Sequence, residues 1–239
     1  MLTRKCTQAV AFVNDILNHP EKANPYALCE VLGIEIISDK PILQDGYLVC
    51  CDGIKLIFIS PKITNCHRRK FIIAHEVGHF LMHRDGLFCC NNIKDYGSAV
   101  VNSSVQENEA NSFASEFLLP IDELKKMLPH GPVSFSTIME IADRFDVSIT
   151  HAAMQAVRSS NAENEILLCY DGRRLKWYAT ANTGVRYSRI PQYCPVDSFN
   201  SPSDSDITGP WDSLYSGSVH QEIFHTYANQ YLILLSQRE

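Results

Sequence analysis

Residues 68–83 read RRKFIIAHEVGHFLMH, and within them His75-Glu76-Val77-Gly78-His79 decides how the rest of the chain is read. Phe71, Ile72, Ala74, Val77, Phe80 and Leu81 recur at helical spacings with no proline among them, so the segment reads as a largely buried helix. On a helix, residues i and i+4 share a face about one turn apart. His75 and His79 therefore present two imidazoles side by side, as two ligands of a tetrahedral zinc ion require. Glu76 stands beside such an ion without having to bind it, and can take a proton from an activated water. A core helix with incidental histidines would instead bury two imidazoles and a carboxylate without partners. Gly78 costs roughly 1 kcal/mol of helix propensity against alanine, so close packing by a neighbouring element explains it better.

A catalytic zinc site takes three protein ligands and keeps a fourth position open. Three residues compete for the third place. His83 follows His79 by four residues, but three ligands on one straight helix cannot surround an ion, so His83 is expected to support the site from outside. Asp85 falls where the HExxHxxGxxH/D pattern places its third ligand, yet that pattern turns the chain at a glycine where this sequence has Met82. Residues 105–120, VQENEANSFASEFLLP, read as a second helix with Ala110, Phe113, Ala114, Phe117 and Leu118 on its apolar stripe and Pro120 as its stop. Glu107 and Asn111 share one of its faces. Glu107 can ligate an ion while Asn111 fixes the ring of a ligand histidine by a hydrogen bond. Ala110 and Ala114 are small enough to let two helices approach. Taken alone, Glu107 also fits a solvated carboxylate near a helix N-terminus, where the dipole favours it.

The 239 residues suffice for one large domain or two modest ones, and 45% hydrophobic with 20% charged residues is ordinary globular composition. A net charge of −6 disfavours nonspecific nucleic-acid binding and suits a basic partner. The first twenty residues lack the apolar core of a signal peptide, and no run approaches the ~20 apolar residues of a membrane span. Nine cysteines, irregularly spaced and without a CxxC, make neither a disulfide framework nor a cysteine-rich zinc site; reduced thiols in the cytoplasm are the expectation. The pairs Cys50-Cys51 and Cys89-Cys90 read as small hydrophobes rather than redox sensors. The sequon Asn102-Ser103-Ser104 carries no weight in a cytoplasmic chain.

Residues 5–18 predict an amphipathic helix, and Pro25 opens a second that Gly33 ends. Ile34–Ile37 is a short strand candidate. Tyr47–Cys51 and Ile54–Ser60 read as a hairpin turning at Asp52-Gly53, whose exposed edge could hold an extended peptide. Residues 84–104 read as a loop over the site. Residues 121–160 are helical with a break at Pro129–Pro132 and resemble helix-turn-helix patterning, but Arg144 is the only Arg or Lys within the core IMEIADRFDVSITHAAMQAV, with Arg158 directly after it, which favours packing over DNA reading. Glu165–Tyr170 and Leu175–Thr180 suggest another hairpin, 198–206 a loop, and QYLILLSQ a buried strand.

The helix RRKFIIAHEVGHFLMH followed by ENEANSFASEFLLP resembles the ImmA/IrrE family of metallo-endopeptidases. Its members carry an "AHELGH…LH" helix and an "ExxAN/D-x-FA…LLMP" helix. The hairpin ending in IFIS and the segment VLGIEII also fit, so the resemblance spans roughly residues 5–155. Val77 and Leu119 depart from the usual Leu and Met without touching the chemistry. By motif matching the resemblance implies His75, His79 and Glu107 as metal ligands, Glu76 as general base, and zinc as cofactor with manganese as the alternative. It further implies an α+β chain: a zincin-like peptidase domain of helices and a small antiparallel sheet over 1–122, a helix-turn-helix-like segment over 123–160, and a small α+β domain over 161–239, regulatory or sensor-like. The implied activity is zinc-dependent cleavage of one regulatory protein, a helix-turn-helix repressor or antitoxin, which derepresses stress-response or mobile-element genes. No direct nucleic-acid or membrane partner is expected, and the sequence carries no signal of an oligomeric state. The alternative is a metal-binding regulatory or toxin-antitoxin component that acts by association without proteolysis. For the oxyanion donor, Tyr96, His67, His83 and Arg84 are candidates.

Overall fold

Thr3 opens the first helix, its hydroxyl accepting the Cys6 N–H at 3.3 Å. The structure, a computed structural model, describes residues 2–18, 22–83, 103–162, 164–181, 187–197, 201, 203–226 and 229–237. Helix α1 runs Arg4–Ile16 and buries Cys6, Ala9 and Val13, leaving Phe12 exposed. Helix α2, Pro25–Leu32, starts at Asn24, whose side chain accepts the Tyr26 and Ala27 N–H groups, and ends at Gly33 with φ 65°. That left-handed position is where glycine is cheap.

Strands β1 (Glu35–Ile37), β2 (Gly46–Cys51) and β3 (Ile54–Ile59) form a sheet in the order β1-β3-β2. The β2–β3 hairpin turns through Asp52 and Gly53, both at positive φ (49° and 82°), which matches the strand twist. β1 pairs with β3 in parallel, so the sheet is mixed and not wholly antiparallel as expected. The chain crosses past the central strand β3, with its fully buried Ile57 and Ile59, between β1 and β2, and this crossover leaves β1 running in the same direction as β3.

Helix α3 (Cys66–Met82) begins at Asn65, whose Oδ1 accepts the Arg68 N–H at 2.9 Å. Helix α4 (Ser103–Leu118) packs along it, and α1 lies against both. The expected loop with Arg84, Asp85, Cys89-Cys90 and Tyr96, and Asn102 of the sequon, lies outside the described residues.

The chain divides into two compact units, Met1–Pro120 and Ile121–Glu239. Helices α5 (Ile121–Met127), α6 (Phe135–Phe145) and α7 (Ile149–Ser159) thus belong with the C-terminal strands and do not stand apart over 123–160. Those strands, β4 (Glu165–Asp171), β5 (Arg174–Thr180), β6 (Asp204–Ile207), β7 (Val219–His225) and β8 (Gln230–Ser236), form an antiparallel sheet ordered β5-β4-β8-β7-β6. β6 takes residues 204–206 out of the expected loop. One face packs Tyr170, Trp211, Tyr215 and Tyr231 into a core. On the other, Phe135 of α6 stacks on Phe224, and the Val133 and Phe135 N–H groups donate to Glu165 and Glu222 at 2.6 and 2.8 Å.

Candidate metal centre

Gly78 is what lets α3 and α4 meet. A Cβ there would stand 3.3 Å from Ala110 Cα and 3.0 Å from the Phe113 ring. The fully buried Ala110 and Ala114 supply the small face expected of α4. At this crossing His75, His79 and Glu107 come together. His75 Nε2 lies 3.0 Å from His79 Nε2 and 3.1 Å from Glu107 Oε2, and His79 Nε2 lies 3.2 Å from Glu107 Oε1. Donor atoms each ~2 Å from one ion stand roughly 3.3 Å apart around a tetrahedron, so this donor set and its spacing fit zinc. The two imidazoles are 15% and 16% exposed and the carboxylate 48%, so the site opens on the Glu107 side.

Each imidazole is fixed at its other nitrogen. Asn111 Oδ1 lies 3.0 Å from His75 Nδ1, the contact expected of Asn111. His83 Nδ1 lies 3.0 Å from His79 Nδ1. His83 is not an extra helical residue on the ligand face; it is the C-cap of α3, with φ −125°. Its Nε2 reaches Glu109 Oε2 at 2.9 Å, a partner that reasoning on α4 alone missed. Burial lowers the basicity of His75, and burial with its histidine neighbours takes His79 down to about 4, so both are neutral in neutral water.

Glu76 is buried against β2, where the Leu48 N–H is turned to its carboxylate. Gly46, at the head of β2, leaves room for this contact: a Cβ there would strike Ile72 and come within 3.8 Å of Glu76 Oε1. Burial, then the charge of Glu107, push Glu76 up to about 8. Of the proposed oxyanion donors, His67 precedes His75 by eight residues, about 12 Å of helix rise, and is too far away. His83 already spends both ring nitrogens. Arg84 and Tyr96 lie outside the described residues.

Residues 29–156 match the family model of the IrrE N-terminal-like domain, the M78 peptidases. The metallopeptidase ImmA of Bacillus subtilis (strain 168) is 28% identical over 107 residues, 45% of this chain and 60% of that protein. A Mycobacterium tuberculosis transcriptional regulator shares the fold, with a TM-score of 0.61 and 14% identity over 98% of this chain and 76% of that one. No described helix is long and apolar enough to cross a membrane. With the family model covering more than half of its length and the two motif helices at its centre, the chain belongs to the ImmA/IrrE family of metallopeptidases.

Proposed function

We propose that the protein is a zinc-dependent endopeptidase that cleaves one regulatory protein, a helix-turn-helix repressor or antitoxin. His75, His79 and Glu107 are assigned as the ligands and Glu76 as the general base. One observation carries the proposal: three ligand residues on two helices whose donor atoms all lie within 4.8 Å of one another, with the two outer imidazole nitrogens already engaged. A metal bound there would supply the Lewis acid that acidifies water and polarises the scissile carbonyl. Glu76 would accept the proton and return it to the leaving amine. Burial and Glu107 push its carboxyl up, and a cation held beside it would favour the ionised form that a base needs. The Leu48 N–H orients its carboxylate. Because β2 pairs with β3 alone among the described strands, its outer edge can receive an extended peptide alongside Glu76. The net charge of −6 suits a basic DNA-binding substrate.

The test is incubation of the purified, zinc-loaded protein with repressors and antitoxins encoded beside it, with and without chelator. Cleavage that needs metal and disappears in Glu76→Gln, while the variant retains stoichiometric zinc, is the expected result. Cleavage undiminished in that variant rules out the assigned base. A second reading, regulation by association without proteolysis, draws on the separate unit Ile121–Glu239, which contributes none of the three ligands. Stoichiometric zinc with tight partner binding and no proteolysis would favour it.

A further inference from the structure

His79 is oriented by another histidine and not directly by a carbonyl or carboxylate. His83 joins His79 Nδ1 to Glu109, and the side chains of His83 and Glu109 are only 4% and 11% exposed. The Thr3 hydroxyl also donates to Glu109, so the carboxylate is held from α1 as well as from α3.

With Glu109 ionised and His83 neutral, one placement of protons satisfies this chain. An ionised carboxylate only accepts, so His83 Nε2 carries hydrogen. In its neutral form His83 then presents a bare Nδ1. His79 Nδ1 must donate to it, and His79 Nε2 is left with a lone pair facing His75 and Glu107. The amide of Asn111, on the other ligand, can turn either its oxygen or its nitrogen to a ring. Glu109 has no such freedom.

We propose that Glu109 is a positioning residue: through His83 it locks His79 in the Nδ1–H tautomer and so sets the metal affinity of the centre. This rests on the assignment of His79 as a ligand, but its readouts need no catalysis. In the full-length, metal-free protein, long-range proton–nitrogen correlation of labelled histidines should show hydrogen on Nδ1 of His79 and on Nε2 of His83. Glu109→Gln puts a group that can accept or donate at the same place. It should give a mixture of tautomers and weaken zinc binding about 10-fold in competition with a chromophoric chelator. Such weakening in a protein that cleaves nothing would still support the tautomer lock, and count only against the peptidase. Hydrogen on Nε2 of His79 in the unmodified protein would overturn the proposal. So would a folded Glu109→Gln variant with zinc affinity within about two-fold of the parent, or one that melts earlier with its tautomers unchanged.

Discussion

Gly78 of α3 and Ala110 of α4 lie so close that a single added carbon on the glycine would stand 3.3 Å from the alanine backbone. The two helices that carry the assigned ligands are thereby held close at this crossing. Gly78→Ala gains helix propensity, about 1 kcal/mol, but pushes against Phe113, which is fully buried and cannot swing aside. Overpacking costs about 1–3 kcal/mol, so a net loss of stability is expected in denaturant melts, together with weaker zinc binding as His79 and Glu107 move apart. A variant as stable as the parent with unchanged zinc affinity would show that the crossing has slack.

Asn111 holds His75 from outside the ligand set. Asn111→Ala should weaken zinc binding by about 10- to 100-fold and leave far-ultraviolet circular dichroism unchanged. Unchanged affinity would mean that the His75 ring needs no such partner.

Zinc should stabilise the unit Met1–Pro120 alone, because all three assigned ligands lie within it. Ligand at 100 times its dissociation constant adds about 2.7 kcal/mol. Calorimetry with zinc and then with chelator should therefore move one unfolding transition and leave the other in place. Movement of neither would count against the ligand assignment.

Glu165 is fully buried, and burial pushes its carboxyl up from 4.5 to about 7. The folded unit Ile121–Glu239 thus keeps a proton that the unfolded chain releases near 4.5. Its stability is greatest below that pH and falls as pH rises towards 7, by on the order of 3 kcal/mol. Glu165→Gln should flatten this dependence between pH 5 and 8, as read from urea midpoints. A slope unaltered by the substitution would place the titration elsewhere.

Much of the site was legible because its parts lie at helical spacings: His75 with His79, Glu107 with Asn111. The Pro25 start, the Gly33 stop and the Asp52-Gly53 turn were legible because each residue type answers a local backbone need. Glu109 was not, because its partner is His83 on another helix and at that helix's end, where i, i+4 reasoning no longer applies. β7 was passed over since its buried positions include His220 and Gln221, and β6 since Asp204-Ser205-Asp206 has the composition of a loop. β4 and β8 are covered on both faces, so alternation is lost and burial runs unbroken along most of each strand.

The Val133 and Phe135 amides at the head of α6 are answered by Glu165 and Glu222, the second of them 87 residues downstream. During synthesis the unit Met1–Pro120 has all its own elements before any strand of the second sheet exists. Helix α7 meets β4 and β5 early, but the head of α6 must wait, with Phe135 uncovered, until β7 brings Phe224 and Glu222. A nascent chain arrested before residue 219 would therefore carry a finished metal-centre half and a sticky, unfinished one.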